Sequence, residues 1–243
     1  MVLKDRLDHL RGIVKTEKKV KVTELSQRFD VTEETIRRDL ERLELEGLIT
    51  RTHGGAVLKV ENMFDRLGYT HRSRTNVEEK KKIAQIVASI IPMQATLFAD
   101  ASSTVMEALT LMADRDDITV LTNSIPVLSS LNQSGLNIMS TGGANNRVSC
   151  SLQGIIARTT IMNYHVDFVL TSCKGLKLDE GAYDSREGET EIKQLMISRG
   201  QKTIMMADHT KFDRTSFVKY CSFQQIDILV TDRRPADEWM ELL

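Results

Sequence analysis

Apolar positions in the first sixty residues recur at helical spacing and then change period. Leu7, Leu10, Ile13 and Val14 mark one amphipathic helix, and Leu25 and Phe29 a second, shorter one for which Thr23 is the expected N-cap. Asp30 and Val31 form a turn. A third helix begins near Thr32, a capping residue followed by Glu33 and Glu34, whose charges suit the positive end of a helix dipole. Its apolar stripe is Ile36, Leu40 and Leu43, which turns Thr35, Arg37, Arg38 and Arg42 toward other faces. Gly47 suits the left-handed end of that helix. The segment "LITRTHGGAVLKV" then alternates as two short strands about a turn at Gly54-Gly55. Helix, turn, helix and hairpin make a winged helix-turn-helix over residues 1–60, an expected binder of double-stranded DNA.

Residues 61–76 form a polar connection. An amphipathic helix with Ile83, Ile86, Val87 and Ile90 follows, and opens a second domain over 77–243. Short apolar runs at 96–99, 118–121, 137–139, 168–170, 203–206 and 228–230 alternate there with helix-like segments. This rhythm predicts an α/β domain with a largely parallel sheet covered on both faces.

In such sheets ligands bind beyond the carboxyl ends of strands, so the residues after each run are the ones to inspect. "DASST" offers Asp100, Ser102, Ser103 and Thr104 at a helix N-terminus, a geometry suited to an anion. "TNS" offers Asn123, "TGG" offers Gly142 and Gly143, "SCKG" offers Lys174 and "ADHTKF" offers Lys211. Each has a plainer reading, as N-cap, turn or solvated lysine, and their common placement after strands favours a site. Asp179, Glu180, Asp184, Glu187, Glu189 and Glu191 read as a solvated acidic loop, with Asp184 and Glu187 as secondary ligand candidates.

Composition adds exclusions. A hydrophobic content of 41% and a charged content of 28% are those of a folded globular chain. No stretch approaches the roughly 20 apolar residues of a membrane span, and the N-terminus lacks a signal core, so a cytoplasmic location is expected. Cys150, Cys173 and Cys221 are too dispersed for a disulfide framework or a structural metal and read as buried small residues; neither metal nor cofactor is expected. Residues 1–60 hold 13 Lys/Arg against 11 Asp/Glu, so charge alone does not mark the DNA face. In the recognition helix, Thr35, Arg37 and Arg38 are the leading base or phosphate contacts, and Thr23, Thr32, Glu34, Arg51 and His53 complete the expected DNA surface. The alternative is a solvated helix in which Arg38 pairs with Glu34 or Glu41, and Arg42 with Asp39 or Glu46.

Residues 22–57, "VTELSQRFDVTEETIRRDLERLELEGLITRTHGGAV", resemble the N-terminal module of the DeoR family of bacterial sugar regulators, with Thr32 where the family commonly has Ser. The strand-end motifs resemble the DeoR sensor domain, similar in fold to ribose-phosphate isomerase and glucosamine-phosphate deaminase. That resemblance implies phosphate-loop roles for Asp100, Ser102, Ser103 and Thr104, ligand roles for Asn123 and Lys211, and a phosphorylated-sugar effector; a homo-oligomer that spaces two winged modules on a DNA repeat is expected beside it. "DASST", "SCKG" and "DSRE" look most like regulators of deoxysugar use, such as the fucose-operon regulator. The expected function is a DNA-binding regulator, a repressor of a sugar-utilisation operon or alternatively its ligand-dependent activator, and not an enzyme. A sugar-phosphate isomerase or deaminase with a DNA-binding appendage is the competing class; the loop after residues 166–170 offers Ser172, Cys173 and Lys174 in place of the paired acids such isomerases display.

Overall fold

The structure, a computed structural model, describes residues 3–45, 48–52, 54–58 and 68–242. Gly47, His53 and most of the expected connection lie outside the described residues. The chain divides into two compact units between residues 66 and 67.

The first unit runs α1 (Leu3–Glu17), β1 (Lys19–Lys21), α2 (Val22–Phe29), α3 (Glu33–Leu45), β2 (Ile49–Thr52) and β3 (Gly55–Leu58). Its core is Leu10, Val14, Val20, Leu25, Ile36, Leu40, Leu43, Ile49 and Ala56, so the periodic apolar positions converge as their spacing predicts. Asp30 adopts a left-handed conformation (φ 51°) and closes α2. Thr32 caps α3, its hydroxyl accepting the Thr35 N–H at 3.2 Å. Two local expectations need correction. Helix α2 starts at Val22 with Lys21 at its N-cap, so Thr23 is not the cap. Gly55 is not a turn residue: it pairs with Thr52 on one side and with Lys21 on the other, because β1 adds a third strand to the wing in the order β1-β3-β2.

The second unit begins with α4 (Tyr69–Ser73) and α5 (Val77–Ile90). A six-stranded, wholly parallel sheet follows, made of β4 (Thr96–Ala99), β5 (Thr119–Thr122), β6 (Asn137–Ser140), β9 (Val166–Ser172), β12 (Gly200–Met206) and β14 (Ile228–Val230) in the order β14-β12-β9-β4-β5-β6. Each expected apolar run lies in or overlaps one of these strands. Alternate strand residues feed opposite cores. Leu97, Ala99 and Val120 face Ile83, Val87, Val105 and Leu109 of α5 and α6 (Ser103–Leu111), whereas Phe98, Leu121 and Val169 face Ile161 of α8 (Ile155–Met162) and Ile192 and Met196 of α9 (Glu187–Ser198).

Helix α5 turns Ile83, Ala84 and Val87 inward, but Ile86 and Ile90 are exposed, against the expected four-residue stripe. Cys173 and Cys221 are buried as expected. Cys150 is only partly covered and has a positive φ of 53°.

Two smaller sheets decorate the carboxyl edge of the main one: the hairpin β7 (Ala144–Asn146) and β8 (Ser151–Gln153), and the antiparallel β10 (Gly175–Lys177), β11 (Gly181–Asp184) and β13 (Val218–Cys221). Helix α7 (Ile125–Ser130) follows β5, and α10 (Asp237–Leu242) ends the described chain, with Trp239 packed edge-on against Phe212 and Phe223. No helix among the described residues is long and apolar enough to cross a membrane.

Candidate functional sites

On the first unit, Thr35 is half-buried, and Arg37 and Arg38 project from the exposed side of α3. Arg37 Nη2 lies 2.7 Å from Glu33 and Arg38 Nε 3.5 Å from Glu34, so one pairing of the solvated-helix reading is realised. These pairs are solvent-exposed and contribute little, which leaves both guanidinium groups available to exchange a carboxylate for a phosphate or a guanine edge. The expected alternative partner of Arg42 is engaged elsewhere: Asp39 is buried and receives Arg6 Nε of α1 at 2.6 Å. Thr23, Arg37 and Arg51 line one cleft of about 90 Å³ between α2, α3 and the wing, together with Glu33. Arg51 is held there through its N–H, which donates to Glu44 at 3.0 Å. Thr32 spends its hydroxyl on the cap and on Thr35, and Glu34 faces Arg37 and Arg38. Of the expected DNA residues, His53 lies outside the described set.

On the second unit the chain starts at β4, proceeds outward through β5 and β6, then returns to the other side of β4 with β9, β12 and β14. The strand order therefore switches between β4 and β9, where the loops leaving two parallel strands diverge and open a crevice. Asp100, 1% exposed, sits in that crevice. Its Oδ1 accepts the Ser102 N–H at 2.9 Å, and its Oδ2 accepts from the Thr171 hydroxyl at 2.9 Å and the Ser172 N–H at 3.1 Å. Ser102 is the N-cap of α6, its hydroxyl accepting the Val105 N–H. The plain capping reading therefore holds for this side chain, while the N–H groups of Ser103 and Thr104 precede the first intrahelical bond, from Met106 to Ser102.

Lys193, which sequence reasoning missed, is the hub of this crevice. It is 4% exposed, and its ammonium donates to Asp184 Oδ2 and Ser172 O, both at 2.5 Å, and lies 3.2 Å from Asp100 Oδ2. Burial alone would neutralise this lysine, but Asp184 and Asp100 outweigh it and hold its pKa above the usual lysine range. Burial likewise pushes the Asp184 carboxyl up, and Lys193 more than reverses that, leaving it below its ordinary value. Asp184 and Glu189 are thus buried members of a folded site and not part of a solvated acidic loop, whereas Glu187 is exposed at the start of α9.

Lys174 follows β9 and Lys211 follows β12, both half-buried. The Lys174 ammonium is held down to about 7, first by burial and then by the nearby cations Arg72, Lys211 and Lys193. Lys80 is lowered to about 8 by burial, with Lys211 and Arg72 acting in the same direction and Asp208 opposing them. Arg72 and Lys80 come from α4 and α5. Residues 69–73 read in the sequence as connection, but they pack on the second unit through the Tyr69 N–H to Val148 O bond at 2.9 Å. Asn76 Nδ2 bridges Asp208 Oδ1 and Thr210 Oγ1, each at 3.2 Å, and ties the same segment to the Lys211 turn. Lys80 donates to the carbonyls of Arg72 and Thr75 and fixes the segment's shape.

Arg72 and Lys211 thus lie within electrostatic reach of both Lys80 and Lys174 at one end of the parallel sheet, a gathering of positive charge that Asp208, Glu107 and Asp184 partly offset. Glu79, His209 and Asp232 also approach within 4.8 Å of one another, yet Asp232 and Arg233 already face the two ring nitrogens of His209, and Asp232 accepts its N–H at 2.6 Å, so this cluster pins the Lys211 turn.

The remaining strand-end residues lie along the same edge. Asn123, after β5, donates from Nδ2 to Leu152 O at 3.2 Å, and its buried Oδ1 has no hydrogen-bond donor among the described residues. Gly142 and Gly143 adopt φ of 66° and 113°, and a Cβ on Gly143 would meet Gln153 O at 2.5 Å, so glycine lets the β6 loop close on the β8 strand.

A winged helix-turn-helix joined to an α/β domain with a cationic strand-end crevice defines the class: a DNA-binding transcription regulator with a sensor domain. Residues 6–62 match the DeoR-like helix-turn-helix domain and residues 75–233 the DeoR C-terminal sensor domain. The protein belongs to the DeoR family of transcription regulators and is not an enzyme.

Curated relatives span the whole architecture. The uncharacterized HTH-type transcriptional regulator YulB of Bacillus subtilis is 37% identical, covering 96% of this chain and 90% of that protein. The HTH-type transcriptional repressor GlcR of the same organism is 32% identical, over 100% and 93%. The L-fucose operon activator of Haemophilus influenzae is 32% identical, over 90% and 88%. Among solved structures, ribose 5-phosphate isomerase A of Methanocaldococcus jannaschii aligns with a TM-score of 0.44 at 10% identity, covering 57% of this chain and 55% of that one.

Proposed function

We propose that this protein represses a sugar-utilisation operon in the cytoplasm, binding double-stranded operator DNA as a homo-oligomer and responding to a phosphorylated sugar. The observation that carries the effector assignment is the cation cluster of Arg72, Lys80, Lys174 and Lys211 beside the α6 N-terminus, at the switch point of a parallel sheet. Like charges gathered in partly buried surroundings, where the Lys80 and Lys174 ammonium groups are held below the usual lysine range, are stabilised by a ligand carrying two negative charges, and a phosphate monoester near pH 7 is such a ligand. Ser103 and Thr104 add N–H groups to the same anion, and Asp100, locked by Thr171, Ser172 and Lys193, holds the loop that presents them.

Operator contact rests on Thr35, Arg37, Arg38 and Arg51, with phosphates supplying affinity and base edges specificity. Two recognition helices at a fixed separation read a DNA repeat, and an effector that favours a different separation releases the operator. Activation is the second reading, favoured by the relative named as an L-fucose operon activator; it differs in the sign of the response and not in the site.

The test is binding of the full chain to the promoter region beside its own gene, at fixed salt, with and without a panel of sugar phosphates. Specific binding that one compound weakens supports repression with that compound as inducer, and specific binding that it strengthens supports the activator reading. Specific binding that no compound alters removes the effector assignment.

A further inference from the structure

Glu189 is a buried carboxylate, 7% exposed, on the first turn of α9, and it makes no ion pair among the described residues. The lysine one turn on, Lys193, lies within electrostatic reach of Glu189, but its ammonium contacts Asp184 and Asp100, so one cation faces three carboxylates. The hydrogen-bond donors to Glu189 are neutral: the Ser151 hydroxyl donates to its Oε1 at 2.5 Å, and Gln153 Nε2 donates to the same oxygen. The residue between those two donors, Leu152, gives its N–H to Asn123 O at 2.8 Å and accepts Asn123 Nδ2 at 3.2 Å. Asn123 is 1% exposed, and its Oδ1 is a buried acceptor without a donor among the described residues. The three-residue strand β8 therefore holds, side by side, a carboxylate that shares its one nearby cation with two other acids and an amide oxygen with no hydrogen-bond partner among the described residues.

Either feature alone is unusual, because buried acceptors are nearly always paired and buried charges nearly always compensated. Together they make one end of the crevice rich in acceptors, opposite the end where Lys174 and Lys211 bring positive charge. From β9, which delivers Lys174, to β5, which delivers Asn123, is two strand spacings across the sheet, about 10 Å. That span suits a small phosphorylated ligand lying across the strand ends. The acceptors also predict the chemistry of its far end: groups that donate hydrogen bonds are welcome there, and a second anion is repelled.

We infer that Glu189 and Asn123 read the non-phosphorylated end of the effector, accepting hydrogen bonds from its hydroxyl or ammonium groups, and that Glu189 excludes ligands carrying a carboxylate or second phosphate at that end. This rests on the sheet edge being a sugar-phosphate site, and it makes the effector a monophosphate with a neutral or cationic remainder. Gly188 belongs to the same construction, since a Cβ there would lie 2.6 Å from Gln153 Oε1 and shift the side-chain amide that holds the carboxylate.

The experiment is calorimetric titration of the full chain and of Glu189→Gln, Asn123→Ala and Lys211→Ala with matched probes. These are glucose 6-phosphate, glucosamine 6-phosphate and ribose 5-phosphate as neutral or cationic arms, 6-phosphogluconate and fructose 1,6-bisphosphate as doubly anionic arms, and inorganic phosphate as reference. The wild type is expected to bind at least one monophosphate sugar tenfold or more tightly than either doubly anionic probe. Glu189→Gln is expected to shrink that ratio at least tenfold while changing inorganic phosphate affinity less than twofold. A purely structural role for Glu189 would weaken every probe alike. Asn123→Ala is expected to weaken the preferred sugar phosphate about tenfold and to spare inorganic phosphate.

The sugar and amino-sugar arms separate hydroxyl from ammonium recognition, because only the latter loses its main attraction in Glu189→Gln. A wild type that accepts the doubly anionic probes equally well, or a Glu189→Gln ratio within twofold of wild type, overturns the inference and leaves the phosphate site standing. Retention of all phosphate binding in Lys211→Ala instead counts against the site itself, and absence of any phosphorylated ligand for the wild type sinks both.

Discussion

Lys174 links the electrostatics of the crevice to a measurable pH dependence. In the free protein its ammonium is held down to about 7, chiefly by burial. The unfolded chain, with lysine near its usual ~10.4, binds more protons from about pH 7 up to that value, so this group makes the free protein more stable as pH rises across the window. Ligand binding has the opposite sign. A phosphate stabilises the ammonium, so above pH 7 each binding event takes up a proton. Effector affinity should fall about tenfold between pH 6.5 and 8.5, an interval in which a phosphate monoester is already largely dianionic. Titration in buffers of different ionisation enthalpy reports the uptake directly, and Lys174→Arg, which stays charged, should flatten the profile; a flat wild-type profile would remove Lys174 from the phosphate.

Lys193 is a lysine of another kind, committed to two carboxylates. Lys193→Met leaves Asp100 and Asp184 buried without a cation, and should cost about 3–5 kcal/mol in urea unfolding. A loss under 1 kcal/mol would mean that the two acids are solvated. Lys174 and Lys211 were legible in the sequence because they directly follow strands, where parallel sheets place ligands. Lys193, Lys80 and Glu189 were not: each sits inside a helix rich in charged residues, and nothing in "EGETEIKQLM" tells a charged side chain turned inward from one turned to water.

Among elements, the helices of the first unit and the six parallel strands follow from periodicity, since each buries a face that its spacing defines. The short strands escape it. The three-residue strands β1, β7 and β8 lack the apolar run that marks β14, and they exist because a partner passes close by. Gly55 shows the cost of missing one. It reads as half of a glycine turn, yet a Cβ there would lie 1.9 Å from the Val20 carbonyl, so the residue is glycine to admit β1 against β3. Gly55→Ala should therefore displace β1 and destabilise the N-terminal unit by about 1–3 kcal/mol, the usual range for overpacking. It should also weaken DNA binding through the wing without altering effector affinity. Urea unfolding followed by the far-ultraviolet signal checks the first outcome, and unchanged stability would mean that the strand is dispensable. Its effect should far exceed that of Gly54→Ala, since a Cβ at Gly54 meets nothing within 4 Å.

At the scale of the whole molecule, three cores, one around Leu40 and one on each face of the parallel sheet, make the two proposed activities separable by mutation. Coupling obeys reciprocity: an inducer that lowers operator affinity by some factor binds the operator complex less tightly by the same factor, typically about 5- to 150-fold. Separability gives the sharper test, because it assigns each half of the linkage to named residues. Arg37→Ala and Arg38→Ala should each weaken operator binding by about 1–3 kcal/mol, with loss of discrimination at the base contacted, while effector titration of the free protein stays unchanged within twofold.

Lys211→Ala should do the reverse, with operator affinity retained within twofold and the effector-dependent shift abolished. Both sets of variants are compared by fluorescence anisotropy on one operator at one salt concentration, since phosphate contacts make affinity salt-dependent. If Lys211→Ala releases the operator by itself, the charge cluster and the DNA-bound arrangement are antagonistic even without ligand. Mutual repulsion among Arg72, Lys80, Lys174 and Lys211 would then be part of what holds the regulator in its DNA-binding state. If it leaves both operator affinity and the effector shift intact, the effector is bound elsewhere, and the strand-end cations serve the fold alone.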